Sequence, residues 1–482
     1  MSDYTAVVIG AGPAGHTCAV RLAQLGARVA VVERDFVGGI CTNWGCTPSK
    51  SMIESAKIAR NVREAGRYGV NVSSFWVDFE KVAARRDEVI LRSRGIVSRL
   101  LEHHGVQVFQ GEAQIVSPGR LRIRQGKLGL DGLEMSYTGT ETMIEAEHIV
   151  VATGSRPLMP SWAPPDHPYI VSSNRLITIG ELPESLTVVG GGVIGLEFAT
   201  IFANMGTRVT VVELQDRLLG TLDPEISHAL TEELNLIGVR TRTGHRVISV
   251  EEGYVRAAHG ATGDIVDIPG RAVLVAIGRE PIVDAPSFDH LGVEHSTKGI
   301  GVDAQLRTSV ANIWAIGDAT GKSILAHVGM QQALVCADNI MTEPGRPRRS
   351  MEYGVIPSVV YSIPEVVAVG EVPDGSDDAV TAFKVPFSAN LRARIESYEE
   401  GFVKIWVRDG KVVAAQAIGY YVSELMQELT DMIALGTPVH AVADIIHAHP
   451  TYSEITRSVL ELSLGRATDF LMPERSARGE TS

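Results

Sequence analysis

Two stretches of the chain show the same order of apolar and polar positions. Each begins with a short apolar run, at residues 5–9 and 186–189, that leads through a glycine-rich turn into a helical pattern. Each ends in a second apolar run, at residues 28–32 and 208–212, which is followed by an acidic residue. Short apolar runs between turn residues are typical of buried parallel strands. The chain therefore predicts two strand–turn–helix–strand units.

The turn of the first unit has a phosphate-binding pattern. Gly10, Gly12 and Gly15 follow the first strand in G-x-G-x-x-G spacing, and Glu33 follows the second strand. Such glycines allow a tight turn and the close approach of a pyrophosphate to the helix N-terminus, while the acid can bind a ribose hydroxyl. We therefore expect a dinucleotide here. The alternative is a tight turn in an unrelated α/β protein.

The second unit repeats this pattern with Gly190, Gly192, Gly195 and Glu213. An acid at this strand end favours a free 2′-hydroxyl and repels a 2′-phosphate, which predicts NAD rather than NADP. Arg217 is close enough in the sequence to leave NADP open. Two dinucleotides on one chain suit the transfer of a hydride from one to the other.

Further apolar runs at residues 149–152, 273–277 and 310–316 each lead into a glycine turn, and the last turn contains Asp318. An acid at the carboxyl end of a strand can accept hydrogen bonds from ligand hydroxyls. The alternative for Asp318 is an Asx-capped turn.

From about residue 354 the pattern changes to antiparallel strands and helices without a nucleotide-binding signal. Asp409-Gly410 predicts a hairpin turn between two of these strands. The predicted strands are residues 358–369, 402–407 and 412–418, and the predicted helices are residues 423–435, 439–446 and 453–464. The predicted fold class is therefore α/β, with two Rossmann-like domains and a C-terminal α+β domain.

The composition argues against some classes of partner. The chain has 482 residues, of which 45% are hydrophobic, and a formal net charge of −13. This charge argues against nucleic acid or an anionic membrane as a partner. No apolar run approaches the roughly 18–20 residues that span a bilayer, and no signal peptide is visible. We therefore expect a cytoplasmic protein.

A pair of cysteines follows the first unit. Cys41 and Cys46 are two of four cysteines in the chain, and Lys50 follows them. In a regular helix residues i and i+5 lie about 140° apart around the axis and ~7.5 Å along it, whereas a disulfide needs Cα atoms within ~7 Å. A Cys41–Cys46 disulfide therefore requires an irregular turn, which Asn43 and Gly45 can supply. At a helix N-terminus such a bond should be easy to reduce.

A zinc site is the rival interpretation of these cysteines. Zinc pairs usually have C-x₂₋₄-C spacing and a second pair of ligands. Cys18 and Cys336 are isolated in predicted helices, and we interpret them as small buried apolar residues. We therefore predict no metal.

A histidine-rich segment lies between two predicted C-terminal helices. His449 could act as a base, with Glu454 orienting the imidazole and stabilising its cation. The alternative is a turn histidine before Pro450. His447 and His449 could also suggest a metal, but the sequence shows no evident third ligand.

Taken together, these motifs resemble those of the class I pyridine nucleotide-disulfide oxidoreductases. These flavoprotein disulfide reductases include glutathione reductase and dihydrolipoamide dehydrogenase. The resemblance covers about residues 4–470. The motifs that carry it are, in family order, residues 10–15 with Glu33, 41–50, 190–195 with Glu213, 315–318 and 449–454.

The resemblance implies FAD on the first unit and NAD on the second. The implied FAD-binding residues are Gly10, Gly12, Gly15, Glu33, Gly39, Thr42, Lys50, Ala113, Thr153, Gly154, Gly317, Asp318 and Ala326. The implied NAD-binding residues are Gly190, Gly192, Ile194, Gly195, Glu197, Glu213 and Gly278. The implied domains are an FAD-binding domain (first part, 1–150, with the redox cysteines), an NAD-binding domain (151–280), a central part of the FAD-binding domain (281–350) and a dimerisation domain (351–482).

The resemblance also implies roles for the cysteine pair. Cys41 resembles the thiol that exchanges with substrate, and Cys46 resembles the thiol that donates charge to the flavin. Lys50 is expected to pair with Glu197 near the flavin.

A further implied role belongs to His449. With Glu454 it resembles the base of the family, which reaches across a homodimer to the cysteines of the other subunit. The peptide before Pro450 is cis in relatives, so we expect the same here.

Within the family, dihydrolipoamide dehydrogenase is the best match, because of Glu213 and the motifs at residues 387–393 and 447–454. The implied reaction is the FAD-dependent oxidation of a free or protein-bound dihydrolipoyl dithiol by NAD⁺. A 2-oxo-acid dehydrogenase complex is then a candidate partner.

Thr42, Trp44, Tyr452 and residues 325–332 differ from the commonest choices of the family. All these places are expected near the flavin or the substrate. The alternative function is therefore an NAD(P)H-dependent reductase of another disulfide, a metal ion or a quinone that uses the same machinery.

Overall fold

The computed structural model describes residues 2–128, 135–164, 167–373 and 377–469. It confirms the predicted α/β class, with both parallel and antiparallel sheets. Within these residues, no helix is long and apolar enough to cross a membrane.

Strands and helices are numbered along the chain. The strands are β1 (Tyr4–Ile9), β2 (Val29–Glu33), β3 (Gln107–Ser117), β4 (Arg120–Leu128), β5 (Met135–Val151), β6 (Ser155–Pro157), β7 (Ile170–Ser172), β8 (Ser185–Val189), β9 (Arg208–Val212), β10 (Arg240–Arg242), β11 (His245–Glu251), β12 (Tyr254–His259), β13 (Ile265–Pro269), β14 (Ala272–Val275), β15 (Arg279–Pro281), β16 (His295–Ser296), β17 (Gly299–Ile300), β18 (Ile313–Ala315), β19 (Ser358–Val360), β20 (Glu365–Gly370), β21 (Val380–Pro386), β22 (Phe402–Arg408) and β23 (Lys411–Gly419). The α-helices are α1 (Pro13–Gln24), α2 (Gly39–Asn43), α3 (Cys46–Glu64), α4 (Phe79–His103), α5 (Ser173–Leu176), α6 (Val193–Met205), α7 (Pro224–Leu236), α8 (Ala285–Leu291), α9 (Ala326–Met341), α10 (Leu391–Glu396), α11 (Val422–Leu435), α12 (Val439–Ala443) and α13 (Glu454–Ser463). Short 3₁₀ helices are Ala65–Tyr68, Gly317–Thr320 and Phe387–Ala389.

The described residues fall into two compact units. The first unit comprises Met1–Leu214 and His245–Glu352, and the second comprises Gln215–Gly244 and Tyr353–Ser482. Helix α7 and strand β10 therefore belong to the second unit, although they lie in the middle of the chain.

The main parallel sheet of the first unit has the order β3-β2-β1-β5-β18. Val7 of β1 lies opposite Ala30 on one side and Ile149 on the other, and all three are fully buried. A strand between two neighbours in a covered sheet is apolar on both faces, which explains the unbroken apolar run of β1. Gly10 and Glu33 consequently stand at the same edge of the sheet, at the carboxyl ends of adjacent parallel strands.

Strand β5 is longer than the sequence indicates. The alternation over residues 120–149 predicts several short strands, whereas the structure has the long strands β4 and β5; residues 129–134 lie outside the described part of the chain. Strand β5 begins antiparallel to β4 and ends parallel to β1. The alternation of apolar and polar residues is compatible with both pairings, so it does not reveal that the strand is continuous.

A second parallel sheet in the first unit has the order β9-β8-β14-β7. Leu274 of β14 lies between Val188 and Val171 of the neighbouring strands. An antiparallel sheet, β11-β12-β13, contributes Val255 and Ala257 to the core on this side.

The second unit is built on an antiparallel sheet of order β19-β20-β23-β22-β21. Helices α11 and α13 share its core, through residues such as Leu429 and Val459. The predicted hairpin turn is confirmed, because Asp409 and Gly410 have φ of 51° and 69° between β22 and β23. Two positive φ values are the signature of a type I′ turn.

Some predicted element boundaries are wrong. The strand predicted at residues 358–369 is two strands, interrupted before Pro364, which has no N–H for the ladder. The apolar pattern after the cysteines predicts a helix from about residue 48 to 67, whereas α3 begins at Cys46 and ends at Glu64. Helix α12 ends at Ala443 rather than at residue 446. The sequence also gave no signal for β21 or α10.

Candidate redox site and nucleotide-binding loops

The first glycine loop is tightly packed at two of its three glycines. A Cβ on Gly10, whose φ is +103°, would lie 2.4 Å from the carbonyl oxygen of Ala152, and one on Gly15 would lie 1.9 Å from that of Gly10. A Cβ on Gly12 would have as its nearest atom the Cα of Gly39, at 3.9 Å. The outer glycines are therefore required by packing, whereas the middle one leaves room for a pyrophosphate at the start of α1.

In the second glycine loop, too, the outer glycines are tightly packed and the middle one is open. A Cβ on Gly190 would lie 2.4 Å from the carbonyl oxygen of Ala276, and one on Gly195 would lie 2.0 Å from that of Gly190. A Cβ on Gly192 would have no atom within 4 Å. Both loops thus fit a dinucleotide phosphate, each at the N-terminus of a helix.

Both acidic residues accept hydrogen bonds from their glycine loops. Glu33 accepts a hydrogen bond from the Ala11 N–H at 2.6 Å and from the Asp35 N–H at 2.9 Å. Glu213 accepts one from the Gly191 N–H at 2.5 Å. Burial raises the pKa of Glu33, although the backbone N–H groups oppose this shift.

The cysteine loop, residues 38–46, consists of the short helix α2 and the irregular turn that leads from it into α3. Cys41 lies in α2, Cys46 begins α3, and Trp44 and Gly45 between them have non-helical backbone conformations. Asn43, proposed from the sequence to break the helix, instead ends α2. Cys41 and Cys46 are close enough for their thiols to share a hydrogen bond, and the redox disulfide between them stays a prediction.

The two thiols differ in acidity. The hydrogen bond with Cys41 lowers the pKa of Cys46 to about 7, because it outweighs burial and is assisted by the nearby Lys50 ammonium. The same hydrogen bond and burial raise the pKa of Cys41. Near neutral pH the single remaining proton of the pair therefore lies on Cys41, and the negative charge lies on Cys46.

The predicted ion pair between Lys50 and Glu197 is present. Lys50 Nζ lies 2.9 Å from each carboxylate oxygen of Glu197. Glu197 is buried in α6, and Lys50 is one turn into α3. The pair joins two packed helices and brings a cation next to Cys46.

Asn43 is buried and holds the cysteine loop in place. Its Nδ2 donates to the carbonyl oxygen of Gly39 at 2.8 Å, and its Oδ1 accepts from Arg94 Nη2 at 2.8 Å. The Arg94 guanidinium lies 3.6 Å from the centroid of the Phe36 ring. Arg94 was not predicted, since this contact joins positions 51 residues apart.

A second group that the sequence analysis missed surrounds Asp318. Ser155 Oγ donates to Asp318 Oδ2 at 2.6 Å and accepts from Arg279 Nε at 2.8 Å. Arg279 Nη2 also donates to the Ser155 carbonyl oxygen at 2.8 Å. Burial lowers the pKa of Arg279, against the opposing charges of Asp318 and Cys46. Arg279 therefore links Asp318 electrostatically to the cysteine pair.

The similar turns after β5 and after β14 could have revealed Ser155 and Arg279 from the sequence. Thr153-Gly154-Ser155 and Gly278-Arg279 are similar strand-and-glycine motifs, and the strands that follow them pair antiparallel. Thr153, Gly154 and Gly278 were among the predicted cofactor residues, whereas Ser155 and Arg279 were not.

The remaining predicted cofactor residues are all in the first unit. The Thr153 hydroxyl donates to the Ile282 carbonyl oxygen at 2.7 Å, and the Gly317 N–H donates to Gln332 Oε1 at 2.6 Å. Thr42 is buried in α2. The other positions are Ala113 on β3, Ile194 in α6, Gly278 before β15 and Ala326 at the start of α9.

The histidine loop, residues 447–453, belongs to the second unit. His449 Nδ1 lies 2.8 Å from Glu454 Oε1, and the Thr451 N–H donates to Glu454 Oε2 at 2.8 Å. Partial burial raises the pKa of Glu454, but the hydrogen bonds from the Thr451 N–H and His449 outweigh it and lower the pKa overall. Glu454 is thus an ionised carboxylate that fixes one nitrogen of an exposed imidazole.

The two histidines of this loop have different partners. His447 Nε2 lies 3.2 Å from Glu428 Oε1, and its Nδ1 lies 3.0 Å from the Ile445 carbonyl oxygen. In the described part of the chain, no group of three or more His, Cys, Asp or Glu side chains could hold a metal ion. The peptide between His449 and Pro450 is cis, as expected.

Comparisons with known proteins cover nearly the whole chain. The family described as pyridine nucleotide-disulphide oxidoreductase matches residues 4–333, and its dimerisation domain matches residues 356–459. Dihydrolipoyl dehydrogenase from Halobacterium salinarum is 35% identical over 96% of this chain and 97% of its own length. The enzyme of the same name from Geobacillus stearothermophilus is 35% identical over 95% of this chain and 96% of its own.

Solved structures show the same architecture. The flavoprotein disulfide reductase RclA from Escherichia coli, in a Cu(II) complex, has a TM-score of 0.82 and 27% identity, covering 96% of this chain and 100% of its own. LpdA from Mycobacterium tuberculosis has a TM-score of 0.83 and 28% identity, covering 95% of this chain and 99% of its own. The family uses FAD and NAD(H) as cofactors. The chain therefore belongs to the pyridine nucleotide-disulphide oxidoreductase family and is an NAD-dependent flavoprotein disulfide oxidoreductase.

Proposed function

We propose that this protein oxidises a dihydrolipoyl dithiol, free or protein-bound, with NAD⁺ as the acceptor. The observation that carries the proposal is the hydrogen-bonded pair of Cys41 and Cys46 beside the Lys50–Glu197 ion pair. The dihydrolipoyl dehydrogenases that match over almost their full length support the choice of substrate.

The residues of the two glycine loops fit the two cofactors. The loop at residues 10–15, with Glu33 and Asp318, would hold FAD, and the loop at residues 190–195, with Glu213, would hold NAD. When bound, FAD would accept the two electrons of the dithiol and deliver them as a hydride to NAD⁺.

The chain's own residues perform the thiol exchange. In the oxidised protein, a substrate thiolate attacks the sulfur of Cys41, the Cys41–Cys46 bond breaks, and Cys46 leaves as a thiolate. The second substrate thiol then attacks the substrate sulfur of the mixed disulfide, which releases the cyclic disulfide product and the Cys41 thiolate. The low pKa of Cys46 makes it a good leaving group, and Lys50 stabilises its charge.

The imidazole of His449 takes the proton of the first substrate thiol, and Glu454 stabilises the resulting cation. The proton of the second substrate thiol passes to the Cys41 thiolate that the exchange releases, because the pKa of Cys41 is raised. We infer a homodimer in which this base acts on the cysteines of the other subunit, since the chain carries the dimerisation domain of the family. We also propose the domain boundaries at residues 150, 280 and 350, which separate the first part of the FAD-binding domain, the NAD-binding domain, the central part of the FAD-binding domain and the dimerisation domain.

The small number of cysteines favours a reducing compartment, and we therefore place the reaction in the cytoplasm. A 2-oxo-acid dehydrogenase complex would supply a protein-bound dihydrolipoyl group.

A substrate panel with purified protein tests the proposal. We expect turnover of dihydrolipoamide with NAD⁺, much slower turnover with NADP⁺, and one bound FAD per chain. Absence of turnover with dihydrolipoamide, together with rapid NADH oxidation by another acceptor, would contradict it.

A second candidate is an NADH-dependent reductase of a metal ion or another disulfide. It is favoured by the similarity to RclA, which has been solved as a Cu(II) complex, and by Thr42 and Trp44 between the cysteines. Steady-state oxidation of NADH with Cu(II) as acceptor, compared with dihydrolipoamide and NAD⁺, separates the two functions.

A further inference from the structure

The histidine loop carries its own set of internal hydrogen bonds. The Thr451 hydroxyl donates to the Ala448 carbonyl oxygen at 2.7 Å, and its N–H donates to Glu454. These bonds shape the loop around His449. They do not fix the position of the loop on the rest of the unit, because all of their partners lie in the loop or at the start of α13.

Asn390 gives the loop an external attachment. Its Nδ2 donates to the carbonyl oxygens of Thr451 at 3.1 Å and Tyr452 at 3.5 Å. Its Oδ1 accepts from the Ala393 N–H at 3.0 Å and so caps helix α10. One buried amide therefore connects the loop backbone to the start of this helix.

Besides the contact of His447 with Glu428, Tyr452 supplies a further attachment, to the other end of α10. Its hydroxyl donates to Glu396 Oε2 at 3.0 Å, and Glu396 also forms an ion pair with Arg392 one turn earlier. Burial and the Glu396 carboxylate raise the pKa of the Tyr452 hydroxyl, so it stays protonated and remains a donor. The loop is thus attached at both ends of one helix.

The Tyr452 ring is part of the core of the second unit. Its side chain is 9% exposed, and its ring centroid lies 5.0 Å from that of Tyr421 and 6.3 Å from that of Phe387. A side chain that is packed on its faces and hydrogen-bonded at its tip has little freedom to move. Tyr452 is also one of the positions where the sequence departs from the commonest family choice.

We propose that Tyr452, through its hydrogen bond to Glu396, is a positioning residue that holds the histidine loop so that His449 meets the substrate dithiol. The inference rests on the proposed function, in which His449 is the base. The hydrogen bond between Tyr452 and Glu396 lies in the second unit. We expect it to affect the dithiol half-reaction and to leave the reaction with NADH unchanged.

Rapid-mixing kinetics on the FAD-bound holoenzyme test the inference, with Tyr452→Phe as the main variant. We expect reduction of the oxidised variant by dihydrolipoamide to be roughly tenfold slower than in the parent, because small displacements of a base are costly. Reduction by NADH should keep the parent rate. Tyr137→Phe is the matched control, since it removes a similar hydrogen bond, to Glu112 at 2.5 Å, from the first unit.

A double-mutant cycle adds a readout that general loss of stability would not give. Glu396→Leu should slow the dithiol half-reaction about as much as Tyr452→Phe, and the double variant should be no slower than Glu396→Leu alone. Parent-like dithiol kinetics in Tyr452→Phe, an equal loss in both half-reactions, or losses that multiply would each overturn the inference.

The same experiment separates the inference from the proposed function. A parent enzyme that fails to react with dihydrolipoamide, or a His449→Gln variant with the parent rate, would contradict the proposed function and with it the base on which the inference builds. An active parent and a slow His449→Gln variant, beside a Tyr452→Phe variant with the parent rate, would contradict the inference alone.

Discussion

The cysteine loop and the histidine loop prepare their reactive groups in different ways. In the cysteine loop, a shared hydrogen bond and the Lys50 cation lower the pKa of Cys46 and place charge on one sulfur. In the histidine loop, Glu454 fixes the imidazole, and attachments to α10 fix the loop. The first loop thus depends on electrostatics and the second on orientation, and the two should respond differently to substitution.

The largest expected effect is the loss of Cys46. Without it the disulfide cannot form, so Cys46→Ser should lower dihydrolipoamide oxidation by at least about 1000-fold. Cys18→Ala is the control, because Cys18 is buried in α1 and takes no part in the exchange. The kcat of both variants in a steady-state assay checks this; near-parental turnover by Cys46→Ser would remove the cysteine loop from the mechanism.

Removal of the Lys50 cation tests the electrostatic side of the comparison. A positive charge favours the thiolate, so Lys50→Met should raise the pKa of Cys46 by about one unit from its value of about 7. The pH midpoint of the long-wavelength thiolate–flavin absorbance in the two-electron-reduced enzyme measures it. Lys57→Met, on the same helix, should leave the midpoint in place. An unchanged midpoint in Lys50→Met would show that the hydrogen bond from Cys41 acts alone.

Substitution of Arg279 tests whether the group around Asp318 supports the proposed FAD site. Arg279→Met removes two hydrogen bonds to Ser155, which in turn holds Asp318. Hydrogen bonds to charged groups contribute about 1.5–3 kcal/mol, so we expect FAD to bind at least about tenfold more weakly. Equilibrium dialysis of the flavin measures this affinity. Arg156→Met, whose exposed side chain pairs with Glu280, is the control and should retain FAD as the parent does.

The smallest expected effect lies outside both loops. Gly410 has φ of +69° in the β22–β23 turn, with no atom within 4 Å of a Cβ placed there. Gly410→Ala should therefore lower the free energy of unfolding by about 1 kcal/mol through backbone strain alone. Denaturant unfolding measures the loss, and the rates of both half-reactions should stay at the parent values. A change in either rate would mean that the sheet of the second unit influences the histidine loop.

Much of the site was predictable because its signals are local in the sequence. The glycine loops, the acids that follow β2 and β9, and the spacing of Cys41, Cys46 and Lys50 each occupy a short stretch whose chemistry can be inferred directly. The pairings of Lys50 with Glu197 and of His449 with Glu454 followed from the family resemblance, and the structure contains both.

The supporting residues could not be predicted in the same way. Ser155 and Asp318 are separated by 163 positions, and Tyr452 and Glu396 by 56. Such contacts exist only after the sheets and helices have packed. Asp318 and Tyr452 stand out in the sequence, but their partners Ser155 and Glu396 do not. The length of β5 was missed for a related reason, since an alternating pattern does not distinguish an antiparallel from a parallel neighbour.

The different roles of the two loops can be tested together by a rapid-mixing comparison of the parent enzyme with Lys50→Met and His449→Gln. In each, the reduction of the holoenzyme by dihydrolipoamide and by NADH is followed separately over pH. We expect His449→Gln to slow only the dithiol half-reaction, by about 100-fold or more, and Lys50→Met to move the pH midpoint of the Cys46 thiolate. Equal losses in both half-reactions for His449→Gln, or a thiolate midpoint far from 7 in the parent, would contradict these roles.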